Sequence, residues 1–348
     1  MKTMKTMNVM KSGSFFKHSY IAILILIIQL CLGCSSDDNS PAIIIGEPDI
    51  QEPFDGTALK DAIAENRNKA IQEFSLTVET GGSITGEQGT VLYFPPDIIT
   101  DQHGDPVTGE VTIRLIEIYD RSSMVLTKMP TNGKRENGDI ETLISAGEFY
   151  IDAYQGEESL LLSGAFQINV PTEEFDPEMR IFDGQDNDCD GIQCDIVWEE
   201  NTEKGLEPGQ GDGAEDGTWV NRYIGFLDNF GWTNLDRWII DPRPKTSVSV
   251  AVPEGYDNTN CNVYITIDNE PTALALLDIY NEETSLFTEH YGHIPIGMEV
   301  HFIFVSKQED AYVYAVQPAT IGENHIETIG TLTTGTEEDL TAVINELP

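Results

Sequence analysis

The stretch "EVTIRL", residues 110–115, places Val111, Ile113 and Leu115 on one side of an extended chain and Thr112 and Arg114 on the other. Successive side chains of a β-strand point to opposite faces, so this alternation reads as a strand with one face on a core and one in water. The same habit recurs at 166–170, where Phe166, Ile168 and Val170 alternate with Gln167 and Asn169. It returns at Val248, Val250 and Val252, and again at Val263, Ile265 and Ile267. Period-two runs divided by Gly, Pro and Asn clusters predict an all-β fold of two β-sandwich-like domains. Two strands end alike, in "NVPTEEFD" (169–176) and "AVPEGYD" (251–257), as a duplicated sandwich would. Helical spacing is confined to the two ends. Leu59, Ile63, Ala70 and Phe74 stand among charges near the start, and "EEDLTAVINEL" (337–347) predicts a short C-terminal helix.

Upstream of the strands, Lys2, Lys5, Lys11 and Lys17 precede an apolar run from Ile21 to Ile28. A basic segment followed by a short apolar one reads as a secretory signal. The run falls short of the roughly 20 apolar residues that a membrane span needs. The following "CLGCSSDDNS" (31–40) is similar to a bacterial lipobox, although Cys31 stands where that motif carries Leu. The resemblance implies that Cys34 is acylated and becomes the first mature residue, anchored to a membrane by lipid. Ser35-Ser36-Asp37-Asp38 resembles the acidic export tag of surface lipoproteins of the Bacteroidota, which implies the outer membrane and the cell surface. The expected organisation is a signal peptide at 1–33, an acidic tether at 34–56, a first sandwich at 57–172, an acidic and glycine-rich insert at 173–245, and a second sandwich at 246–348.

Charge narrows the partners. With 19 basic and 60 acidic residues the chain carries −41, and loss of the four signal lysines makes it more negative still. Phosphate binding needs clustered Lys and Arg, so nucleic acid is excluded. Acidity of this degree keeps a protein solvated and repels anionic head groups; the partners it favours are divalent cations or cationic surfaces. Hydrophobic residues make up 40% of the chain and fall in patterned runs, which argues for folded domains.

The segment "ETGGSITGEQGTVLYFPPDIITDQHGDPVTGEVTIRLIEI" (79–118) resembles the β-sandwich module shared by ankyrins and netrin receptors. Gly81, Gly82, Gly89, Pro95, Pro96, Gly104 and Gly109 fall where that pattern has turns and corners. Glycine supplies positive φ and proline fixes its own φ, so these residues act through backbone geometry. Residues 142–162, 230–238 and the following "DPRPKTSVSVAVP" also resemble cell-surface proteins of the Bacteroidota. The resemblance implies sandwich modules outside the cell and no particular reaction.

The densest acidic stretch is "DGQDNDCDGIQCD" (183–195). Asp186, Asp188 and Asp190 alternate before Gly191, as in the first half of a calcium loop, where hard oxygens precede a glycine turn. Val197 occupies the position at which an EF-hand needs a bidentate Glu. The segment is more similar to the short D-N-D-C-D-G repeats of secreted bacterial proteins. It is read either as a Ca²⁺ site made by Asp186, Asp188, Asp190 and Asp195, with Glu199 or Glu200 in reserve, or as a solvated loop. A disulfide between Cys189 and Cys194 suits an oxidising compartment and leaves Cys261 over, pairing of Cys261 with either being the other arrangement.

Nucleophile elbows, H-E-x-x-H, phosphate loops and dinucleotide glycine sets do not occur in the sequence. His290 and His293 have a ligand-like spacing within a turn, and His301 lies in a strand pattern. Trp198, Trp219, Trp232 and Trp238 are read as core packing or as a sugar-stacking platform. Two functions follow: a non-catalytic surface lipoprotein contacting a glycan or another envelope protein in adhesion or assembly, or a hydrolase of extracellular glycan with a carboxylate-based site.

Overall fold

A computed structural model describes residues 55–185, 191–212, 219–289 and 292–348. The signal peptide, Cys34 and the tether up to residue 54 lie outside the described residues. The fold is all-β and sandwich-like, with three short helices: α1 (Thr57–Lys69), α2 (Arg121–Thr127) and α3 (Glu337–Asn345). Residues from Glu52 to Pro348 form one compact unit.

In the first sandwich the inner sheet runs, in spatial order, Gln72–Thr77, Glu110–Ile118, Ile140–Gln155, Gly231–Trp238, Arg180–Gln185, Val197–Glu200 and Asn132–Lys134. Asn132–Lys134 also pairs back onto Ile140–Gln155, so the far end of this sheet closes into a ring of five strands. The closing step is the parallel pairing of Trp198 with Gly133. Trp198 stands in register with glycine on both flanks, Gly133 and Gly184. A Cβ at Gly133 would meet the Leu143 side chain at 2.7 Å, and one at Gly184 would meet Trp232 Cβ at 2.6 Å. The ring therefore closes only because two strands carry no side chain beside the indole.

The outer sheet has the order Glu207–Asp212, Trp219–Leu227, Phe166–Thr172, Val91–Phe94 and Gly82–Thr85. Val111, Ile113 and Leu115 of the opening stretch face Leu92, Phe166, Ile168 and Val170 across one dry core, as their alternation predicts. Phe94 stacks on Phe166 with ring centres 4.7 Å apart. Gly81 has φ 60°, and a Cβ there would sit 2.2 Å from the Phe94 carbonyl oxygen, which is why this turn takes glycine.

Residues 173–245, expected as an insert, supply five strands to the first sandwich. Their apolar residues are few, but Ile181, Phe182, Trp198, Tyr223 and Leu235 are all buried. α2 was not visible in the periodicity, being too short; its signal is Asp120, whose carboxylate caps the Ser123 N–H at 2.9 Å. Of the early helical pattern, Leu59 lies in α1, while Phe74 already belongs to the first strand.

The second sandwich pairs a sheet of Glu270–Leu276, Cys261–Ile267, Glu299–Gln308, Ala311–Thr320 and Thr333–Gly335 with one of Ile279–Asn281, Leu286–Thr288, Val248–Ala251 and His325–Thr328. Val248, Val250, Val263, Ile265, Phe302 and Phe304 fill its core. The two similar strand ends occupy different settings: Phe166–Thr172 is flanked antiparallel on both sides, whereas Val248–Ala251 runs parallel to His325–Thr328.

A third core joins the sandwiches. Tyr150, Phe182, Trp198 and Trp232 pack with Tyr264, Ile303, Tyr312 and Tyr314 of the second sandwich, together with Leu59, Met124, Leu340 and Ile344 from the three helices. Hydrogen bonds also cross this junction. Thr131 N donates to the Leu274 carbonyl at 2.8 Å, and the Leu276 N–H donates to Asn132 Oδ1 at 2.9 Å.

Candidate functional site

The acidic loop returns to the body of the protein through residues 191–196, and α1 holds it there. The Arg67 side chain, 2% exposed, donates through Nε to the Thr127 carbonyl at 2.6 Å and through Nη2 to that of Lys128 at 3.0 Å. Its Nη1 donates to the carbonyls of Ile192 and Cys194 at 3.3 and 2.9 Å. One guanidinium thus ties α1 to the C-terminus of α2 and to the acidic loop, and its planar fork suits several carbonyls at once. Cys194 is disulfide-bonded and Cys261 is a free, buried thiol. Burial pushes the Cys261 thiol pKa up, and its Sγ contacts the Asp257 carbonyl oxygen at 3.2 Å.

Of the residues expected to hold Ca²⁺, Asp195 is described, and Asp186, Asp188 and Asp190, with Cys189, lie outside the described residues. The Asp195 carboxylate receives Lys128 Nζ at 2.7 Å and stands 3.8 Å from Arg67 Nη2. Glu199 pairs with Lys134 at 2.7 Å, and Glu200 accepts from Trp238 Nε1 at 2.7 Å. Among the described residues no group of three His, Cys, Asp or Glu side chains is gathered for a metal.

Three of the tryptophans serve packing. Trp198 and Trp232 are buried, their indole N–H groups donating to the carbonyls of Pro130 at 2.9 Å and Gly191 at 3.3 Å. Trp238 is covered by Arg135, whose guanidinium lies 3.5 Å from the ring centre.

Arg135 also lines a cleft of about 280 Å³ between the sandwiches, floored by Ile140, Ile267, Ile294 and Met298. That size falls just below the range of small-molecule sites, roughly 300–1,000 Å³. Two arginines at its rim are paired with carboxylates. Arg135 meets Glu141 at 2.7 Å, and Arg243 meets Asp241 at 2.5 Å and draws that carboxyl down to about 2. His293 faces Asp139 at 3.2 Å, while its spaced partner His290 is outside the described residues. His301 pairs with Asp268 at 2.7 Å.

A pair of carboxyl groups lies in the interior. Glu148 and Asp236 are both wholly buried on the face of the inner sheet that meets the third core. Burial, reinforced for Glu148 by Asp236 and opposed by Arg67, raises its carboxyl well above the usual carboxylate range. Burial likewise raises Asp236, against hydrogen bonds from Ser145 and Asn234. A glycosidase separates its two carboxyls into an acid and a base on either side of a substrate. Here both shift the same way, and both are sealed from solvent.

The outward face of the outer sheet has a different character. Tyr93, Gln167 and Phe226 stand side by side on three adjacent strands, and Tyr93 and Phe226 are 44% and 52% exposed. They share a shallow groove with Ser83.

No family model matches the chain, and no curated protein does so. Among solved structures, the Gamma-CGTASE of alkalophilic Bacillus clarkii is similar over 72% of this chain and 41% of its own, with 12% identity and a TM-score of 0.19. The chain thus spans less than half of that protein, and a likeness so slight places neither fold nor activity.

Proposed function

We propose that the chain is a lipid-anchored, non-catalytic protein of the outer-membrane surface, held at Cys34 and serving contact with a glycan or another envelope protein in adhesion or assembly. The observation that supports this reading is the shared third core, which makes one body of two sandwiches. Such a body follows an acidic tether containing Pro41, Pro48 and Pro53 and offers sheet faces as contact surfaces. A net charge of −41 keeps it from lying on anionic head groups. Acyl chains contribute about 0.8 kcal/mol per buried CH₂, so several on one cysteine hold it stably. The test is fractionation and surface labelling of intact cells expressing the protein or its Cys34→Ala variant. The native protein is expected in the membrane fraction and accessible to an impermeant label, and the variant in the soluble fraction with an unchanged melting temperature. A variant that stays with the membrane overturns the anchor. A native protein labelled only after permeabilisation overturns the outward face.

A further inference from the structure

The geometry points to a binding site for a neutral, extended glycan on the outward face of the first sandwich, centred on Tyr93, Gln167 and Phe226. This deepens the reading of the chain as a surface binding protein and rests on it. Ser83, Tyr93, Gln167 and Phe226 form one row across four neighbouring strands, each in register with the next. The next row on the same face carries Val91, Asn169 and Ile224. Gln167 Nε2 donates to Asn169 Oδ1 at 2.6 Å, so a pair of coupled amides runs down the middle strand. An aromatic ring and an aliphatic side chain flank the amides on each side.

Three features select the occupant. Tyr93 and Phe226 are two strand spacings apart, about 9.6 Å, close to the length of two pyranose rings in an equatorially linked chain. Aromatic faces pack on the apolar C–H faces of such rings, and the half-buried Gln167 amide between them, oriented by the buried Asn169, has a donor and an acceptor for hydroxyl groups. No residue of these two rows carries a charge until Glu207, although 60 of the chain's side chains are acidic. A charge-free strip on so acidic a surface suits a neutral ligand, because it neither attracts cations nor adds to the repulsion of anions. Large aromatics exposed together in this way mark interaction sites more often than accident.

The test is calorimetric titration of the full chain, purified in detergent, with cellohexaose, and with maltohexaose as an axially linked chain of the same mass. Saturable heat is expected with cellohexaose, weakened about tenfold by Tyr93→Ala and by Phe226→Ala. Both positions are exposed, and unchanged melting temperatures verify that the variants fold. Gln167→Glu, which leaves both rings in place and adds a charge, is expected to weaken binding by a similar factor. Absence of heat with cellohexaose, equal affinity for maltohexaose, or binding indifferent to all three substitutions each overturns the site. None of these outcomes bears on the anchor, which the Cys34→Ala fractionation decides separately.

Discussion

Glu148, Asp236 and Glu117 are all buried carboxyl groups of the inner sheet region, yet they are treated differently by their surroundings. Glu117 accepts from the backbone N–H groups of Thr90 and Gln88 and from Gln72 Nε2, at 2.9–3.0 Å. Neither oxygen of Glu148 has a hydrogen-bond partner, and Asp236 Oδ1 has none either. Burial without enough donors favours the protonated form of a carboxyl, and it raises both Glu148 and Asp236. Because the folded-state values of Glu148 and Asp236 lie above the unfolded ones, the stability linked to their protons is complete below about pH 4 and is lost as pH rises toward the folded values. Glu148→Gln should therefore come closest to the native protein near pH 4 and become the more stable of the two toward pH 8. The gap should open at up to about 1.4 kcal/mol per pH unit. Urea midpoints across that range measure it, and a gap that does not widen with pH would mean that Glu148 is already ionised.

At the scale of elements, α1 is joined to the rest by Arg67 more than by its short apolar face, of which Leu59 and Ala62 are buried. Four carbonyl oxygens, from Thr127, Lys128, Ile192 and Cys194, take their hydrogen bonds from this one side chain. Desolvation pulls the Arg67 pKa down, and Asp195 opposes the shift. Arg67→Met keeps most of the buried volume while leaving those carbonyls without a donor. It should destabilise the protein by roughly 3–5 kcal/mol, as the loss of a buried, multiply bonded charge does. It should also loosen the loop around Cys194, read as faster amide exchange at 191–196 in the variant. Destabilisation below about 1 kcal/mol would show that water replaces the guanidinium at no loss.

For the whole molecule the decisive feature is that three cores share two sheets. The inner sheet of the first sandwich and the facing sheet of the second are each apolar on both sides. Unfolding one sandwich alone would expose Tyr264, Ile303 and Tyr314 of the other, so the body should melt in one step. All four tryptophans lie between residues 198 and 238, within the first sandwich, and the second has none. Tryptophan fluorescence consequently reports the first sandwich, and far-UV circular dichroism reports both. Coincident melting curves are expected; a further dichroism transition without a fluorescence counterpart would show that the second sandwich folds alone.

The alternation at 110–115, 166–170, 248–252 and 263–267 by itself determined the all-β class and the dry faces of both sandwiches. Side-chain direction in a strand is set by the backbone, and burial follows from it locally. The short C-terminal helix was legible for the same reason, its spacing being local; in the structure it is α3, whose start Thr336 and Asp339 cap by satisfying each other's backbone N–H groups within one turn. The assignment of residues 173–245 was decided only by tertiary structure, because membership of a sheet depends on which distant edge a strand meets. Val197–Glu200 pairs on one side with Arg180–Gln185 and on the other with Gly133 and Lys134, some sixty residues away, and Arg180–Gln185 in turn meets Gly231–Trp238. The same holds for the candidate sites. Tyr93, Gln167 and Phe226 are far apart along the chain, and strand register alone brings them into one row. Glu148 and Asp236 read as ordinary acids among 60, and only the packing of a second sandwich over their sheet took them out of water.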